Sequence, residues 1–217
     1  MTLVIDIQYF PSVIFYKPLY KFSNIVFDQY ETYQKMGFRN RCQVAGAEGV
    51  INLSVPLAGG RDQKLLVKDV RISDRQPWAA RHWKTIVSCY SRSPWFEFYR
   101  DGLEGLYQQR FEFLQDWNLA CFDWSLRALE VSMPVTLTDR WEKVYAKAGV
   151  VDWRRKILAK TGAGNSTGAP GTGGIGEGDV LRYRQVFEER IGFIPNLSIL
   201  DLLFCEGKNA VRYIRSS

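Results

Sequence analysis

The sequence predicts an α/β protein. Its open mixed sheet begins with a βαβ unit and a hairpin and packs against a C-terminal helical layer. Three observations predict this. Residues 2–7 (TLVIDI) and 24–28 (NIVFD) are short apolar runs of strand length, separated by a helix-sized crossover. Residues 41–46 and 50–57 flank the turn Gly46-Ala47-Glu48-Gly49, the pattern of a hairpin. From residue 78 onward the apolar residues recur at helical rather than strand spacing.

Each element has a local reason. Pro11 ends the first strand. Val13, Ile14, Tyr16 and Tyr20 then fit a short helix whose regularity Pro18 limits. Gly59-Gly60 closes the hairpin, and residues 65–72 (LLVKDVRI) read as a further strand. Ser73 or Asp74 can cap the next helix, with Pro77 in its first turn. Trp78, His82, Trp83, Ile86, Val87 and Tyr90 form its apolar face, and Pro94 stops it. Residues 95–112 and 113–130 predict two more helices, the second apolar on two sides and so central. Residues 135–138 suit a late strand, and 180–190 a helix. Residues 193–204 form an apolar C-terminal element with Asn196 or Ser198 as its cap and Gly207 as its stop. The glycine-dense stretch 161–178 reads as a flexible loop within one domain spanning 1–217.

Composition excludes several classes. The N-terminus has neither the basic start nor the apolar core of a signal peptide, and no uninterrupted apolar run reaches membrane-spanning length. Cys42, Cys89, Cys121 and Cys205 are scattered. With one histidine they make no zinc pattern, so no metal site is expected. Free thiols fit a reducing cytoplasm. Gly171 to Gly176 matches the GxGxxG spacing, but no strand precedes it, so a dinucleotide site is not inferred. The sequence names no cofactor and leaves the oligomeric state open.

Charge is concentrated. Residues 35–92 carry eleven lysines and arginines against four acids, +7 in a chain whose net charge is +6. An anionic ligand is the natural partner of such a segment. Arg39, Asn40 and Arg41 place two guanidiniums around an amide. On a strand the two arginines share a face and suit one phosphate or carboxylate. The alternative is a surface pair bridged to Asp28 or Glu31. Lys68, Asp69 and Arg71 form a second cluster, with an Asp69–Arg71 ion pair as the plainer reading. Gly59-Gly60-Arg61 with Lys64 reads as a basic loop, either a lid or merely solvated. His82, the only histidine, is either a general base or a hydrogen-bonded core residue. Gln8 and Tyr9 follow the first strand and Asp28 ends the second, at the edge where open parallel sheets place ligands. Nucleic acid is the weaker reading, because the aromatics fall at core positions and no nucleic-acid-binding motif is present.

Several blocks together resemble the WbqC-like family. They are Gln8-Tyr9-Phe10-Pro11, Phe27-Asp28, Tyr33-Gln34-Lys35, Phe38-Arg39-Asn40-Arg41, Leu53 to Leu57, Lys68 to Ile72, Trp78 to Lys84, and Phe193 to Phe204 followed by Gly207. The resemblance covers nearly the whole chain except about residues 132–178. It implies a role in bacterial surface-polysaccharide (O-antigen) biosynthesis. Combined with the clustered charge, it points to a cytoplasmic transferase acting on a phosphate-bearing substrate such as a nucleotide sugar. In that reading Gln8, Tyr9, Arg39, Asn40, Arg41, Lys68, Asp69 and Arg71 bind substrate, and His82 or Asp28 handles a proton. The alternative is a non-catalytic assembly protein docking an acidic partner through the same basic face.

Overall fold

The computed structural model describes residues 1–35, 37–60, 62–157 and 180–215 of the 217. The expected mixed α/β architecture is present. A four-stranded parallel sheet has the order β5-β2-β1-β6, built from β1 (Thr2–Ile5), β2 (Asn24–Phe27), β5 (Val135–Leu137) and β6 (Val150–Asp152). The hairpin β3 (Arg41–Gly46) and β4 (Gly49–Ser54) forms a separate antiparallel sheet, turning at the anticipated residues.

Between β1 and β2 the chain makes α1 (Val13–Tyr16) and then a 3₁₀ turn (Lys17–Lys21), with Pro18 near the start of that turn. Proline lacks the amide that a continued α-helix would need, so the helix tightens there instead of extending. The helical layer comprises α2 (Trp78–Tyr90), α3 (Phe96–Gln108) and α4 (Leu114–Ala128). Short helices α5 (Glu188–Ile191), α6 (Ile199–Glu206) and α7 (Ala210–Arg215) end the described chain.

Alternation along the strands decides where the core lies. Leu3, Ile5, Ile25 and Phe27 are fully buried, and Phe27 meets Phe122 of α4 edge-to-face at 5.1 Å. Helix α4 is buried on both sides, as its sequence requires: Trp117, Cys121, Phe122 and Leu126 are all in the core. Ser198 caps α6, its hydroxyl accepting the Leu200 N–H at 3.3 Å.

Four expectations differ. Residues 65–72 are not a strand. They form a 3₁₀ turn (Val67–Asp69) flanked by isolated bridges from Leu66, Arg71 and Ile72 to three different segments. Residues 180–185 form no helix, and Leu181, Tyr183 and Gln185 are buried in alternation with exposed Arg182 and Arg184; of the expected helix only Glu188–Ile191 forms, after a turn at 186–187. Gln185 is pinned there by two bonds to the Ile194 backbone, at 2.7 and 2.8 Å. Helix α2 starts at Trp78 after Pro77, without a side-chain cap from Ser73 or Asp74. Strand β6 was not anticipated. The glycine-dense stretch 161–178 and Arg61 of the basic loop lie outside the described residues.

Candidate functional site

All four strands of the parallel sheet end on the same side. The chain leaves β1 for β2 on one flank and returns as β6 on the other. Strand order therefore reverses between β1 and β6, the position at which open α/β sheets form a ligand crevice beyond their carboxyl ends. Just past those ends lie buried Asp6, Asp28 and Thr138 and the partly buried Arg154.

Register brings the first two acids together. Ile5 pairs with Phe27, so Asp6 and Asp28 come next on adjacent strands. Alternation turns both away from the helical core. Adjacent parallel strands lie only about 4.8 Å apart, so two carboxylates there repel unless each is compensated. Each has its own partners. Asp28 accepts Arg154 Nη1 at 2.5 Å, the Tyr30 N–H at 3.0 Å and the Thr138 hydroxyl at 3.2 Å. Asp6 accepts the Arg155 N–H at 2.8 Å and Gln8 Nε2 at 2.9 Å, with Arg39 Nη2 at 4.0 Å. Arg154 also binds Asp152 and the carbonyls of Glu142 and Lys143, tying β6 to the loop after β5.

Arg39 is buried, and its guanidinium pairs with Glu31 through both Nε (3.0 Å) and Nη2. This is the expected Glu31 alternative, formed in the interior rather than on the surface. Burial raises the Glu31 carboxyl above its ordinary value; Arg39 opposes this and Asp6 adds to it. The other Glu31 oxygen receives Arg155 Nε at 3.4 Å, and Arg155 is half-exposed. Arg155 has φ +61°, a left-handed backbone unusual for a side-chain-bearing residue. Gln8 is fully buried. Its Nε2 bonds Asp6 and the Ile157 carbonyl, while its Oε1 has no hydrogen-bond partner among the described residues.

The turn carrying Gln8 is held by the C-terminal segment. Phe10 has φ +37°, and its carbonyl accepts the Ser198 hydroxyl at 3.0 Å. Pro11 O accepts the Ile199 N–H at 2.9 Å, and the Val13 N–H reaches Leu197 O at 2.9 Å. Two blocks far apart in sequence thus fix one strained turn beside the carboxyl edge of the sheet.

The structure brings Gln8, Asp28 and Arg39 to this edge. It places other candidates elsewhere. Tyr9 is fully buried, its hydroxyl 3.0 Å from His82 Nδ1 and 2.6 Å from the Tyr107 hydroxyl. His82 lies among Trp78 and Tyr9, and burial lowers its pKa to about 4. Arg39 and Asn40 precede β3 instead of lying on it, so Arg39 and Arg41 do not share a strand face. Asn40 accepts the Tyr33 hydroxyl and donates to Val55 O, both at 3.0 Å. Lys68 pairs with Asp69 at 3.7 Å and sits 5.2 Å from the Tyr30 ring centre. Arg71 pairs with Glu112 and covers the Phe113 ring, so the expected Asp69–Arg71 pair is replaced by two others.

Sequence reasoning missed Asp6, Arg154 and Arg155. The first was legible as the residue ending the first strand. The arginines were not, because β6, the strand they follow, was not recognised. Among the described residues no group of three or more His, Cys, Asp or Glu side chains is placed to hold a metal ion. Nor is any helix there long and apolar enough to cross a membrane.

The model of the WbqC-like protein family matches residues 7–175. The chain belongs to the WbqC-like family. The match begins beside Gln8 and includes Asp28, Glu31, Arg39, Arg154 and Arg155. It runs through residues 132–175, where the resemblance read from the sequence lapsed, and it stops before the C-terminal block 193–204. Neither the curated proteins nor the solved structures gave a match.

Proposed function

We propose that this WbqC-like protein is a transferase of bacterial surface-polysaccharide biosynthesis, taking a phosphate-bearing sugar into the crevice between β1 and β6. The observation that carries the reading is the convergence of Asp6, Gln8, Glu31, Arg39 and Arg155 at the point where strand order reverses. Arg155 is the ligand-facing cation. Its side chain is half-exposed, with Nε held by Glu31. A guanidinium so oriented presents its remaining N–H groups to a phosphate as a planar fork. Gln8 and Glu31 act as positioning residues behind it. Arg39 is already matched by Glu31 and Asp6, so its role is to hold Glu31 charged and in place. Three of the four free cysteines are buried, which suits a reducing cytoplasm where nucleotide sugars are found.

Thermal unfolding in the presence of a panel of nucleotide sugars, sugar phosphates and inorganic phosphate tests the reading. A ligand at about a hundred times its Kd stabilises by about 3 kcal/mol. The expected result is stabilisation by at least one phosphate-bearing sugar that is lost in Arg155→Ala. Absence of stabilisation by every member of the panel rejects the reading. A stable complex with an acidic protein, unaffected by Arg155→Ala, would instead identify a docking protein.

A further inference from the structure

A concave site lies between the start of α2 and the end of α3, with a volume of about 690 Å³. Its floor is aromatic: Trp78, Trp83, Tyr107 and Phe111. Ala79 and Ala80 lie between the two indoles in sequence, and their side chains are too short to fill the space. The Trp83 indole is fixed in plane. Its Nε1–H donates to Glu104 at 3.1 Å, and its ring stacks on Phe96 at 6.0 Å. Trp78 meets both His82 and Trp117 edge-to-face at 5.2 Å. These contacts hold the aromatic floor rigid before any ligand arrives, which lowers the ordering cost of binding.

The rim is polar, and its lining charges balance: Asp74 and Glu104 against Arg75 and Arg110. Gln108 contributes an amide, and the Gln76 amide oxygen accepts Arg81 at 2.9 Å. A cationic or anionic ligand gains little from such a rim. A neutral ligand with one apolar face and many hydroxyls gains both from the rings and from the planar donors and acceptors. An uncharged pyranose fits that description: axial C–H groups face the aromatic floor and equatorial hydroxyls meet the rim. The volume falls in the range of small-molecule sites.

We infer that this groove is a saccharide-binding site for an uncharged sugar unit of an oligosaccharide, separate from the crevice at the sheet edge. It stands independently of the function proposed above, since none of its lining residues belongs to the Asp6–Arg155 cluster.

Saturation-transfer NMR on the full chain tests it, with uncharged oligosaccharides built on glucose, galactose, mannose, rhamnose, fucose and N-acetylglucosamine at millimolar concentration, and with uridine monophosphate for comparison. The blocking variant is Ala80→Arg, at an exposed helix position where a long side chain enters the groove without touching the core. The second variant is Gln108→Ala, also exposed. The expected result is transfer to at least one saccharide, abolished in Ala80→Arg and about tenfold weaker in Gln108→Ala. Arg155→Ala leaves it unchanged even if nucleotide-sugar binding fails. Absence of transfer to every saccharide overturns the inference. So does transfer that persists in a folded Ala80→Arg protein, or transfer to uridine monophosphate alone that Ala80→Arg removes.

Discussion

The Tyr9 hydroxyl lies 3.0 Å from Nδ1 of His82, the only histidine, and both side chains are buried. Burial lowers the His82 pKa to about 4, so the imidazole is neutral at pH 7. A group whose folded pKa is depressed contributes stability above its unfolded value, near 6.5, and loses it as pH falls toward the folded value. The shift corresponds to about 3 kcal/mol, lost between about pH 6.5 and 4. NMR reads this directly, because the chain has one imidazole. Its ring resonance is expected to stay in the neutral position down to pH 5.5. A midpoint at 6.5 or above would refute the core assignment and reopen a role as general base. His82→Gln should flatten the acid limb of stability against pH.

Asp201 acts in the opposite direction over nearly the same range. It is buried in α6, accepting the Tyr90 hydroxyl at 2.6 Å and the Tyr183 hydroxyl at 2.7 Å. Burial pushes its pKa up to about 6, and the tyrosine hydrogen bonds only partly oppose that. Its contribution is therefore fully present below the ordinary carboxylate value near 4 and is lost as pH rises through 6. Asp201→Asn should remove a decline of about 3 kcal/mol between pH 4 and 7. Urea unfolding of wild type and variant at both ends of that range measures it. Parallel curves would show that Asp201 titrates normally.

Arg39 neutralises Glu31 and sits near Asp6, all three buried. Removing only the cation leaves two carboxylates without it in the interior, which typically costs about 3–5 kcal/mol. Arg39→Ala should lose that much, while Glu31→Gln combined with Arg39→Met should lose less than Arg39→Ala alone. Denaturant unfolding decides it. Equal losses in the single and double variants would mean that the pair is worth no more than its packing.

The sequence made the helices legible because their apolar residues repeat over thirteen to fifteen positions, enough for the period to show. The hairpin was legible from its turn. Strand β6 was not, since three residues carry no period. Residues 65–72 misled because their apolar run has strand length, whereas the buried residues, Val67, Val70 and Ile72, are spaced by three and then two around the 3₁₀ turn. At the site, Gln8 and Asp28 were readable from their position after strands. Arg154 was not, because its partner Asp28 lies 126 residues away and only the sheet order brings them together. Arg39 was recognised as important, but its burial depends on Glu31 and Asn118, whose amide holds the Arg39 carbonyl at 2.7 Å.

Gly207 tests whether the C-terminal block is locked in place by packing. It ends α6 with φ +56°, and a Cβ added there would lie 2.2 Å from Trp95 Cδ2. Trp95 cannot retreat easily, because its N–H is bonded to Phe204 O at 3.0 Å and its ring meets Phe98 edge-to-face. Gly207→Ala combines backbone strain with overpacking and should cost about 3 kcal/mol or more. Gly192 is the control. It has φ +76° with nothing within 4 Å of its hypothetical Cβ, so Gly192→Ala carries strain alone. Chemical unfolding should show a distinctly larger loss at Gly207 than at Gly192. The same loss also threatens the crevice, since α6 begins at the Ser198 hydroxyl that holds the Phe10 carbonyl. Gly207→Ala is therefore expected to weaken, from a distance, the binding proposed at the sheet edge. Equal losses at the two glycines would place the constraint in the backbone and leave Trp95 free to move.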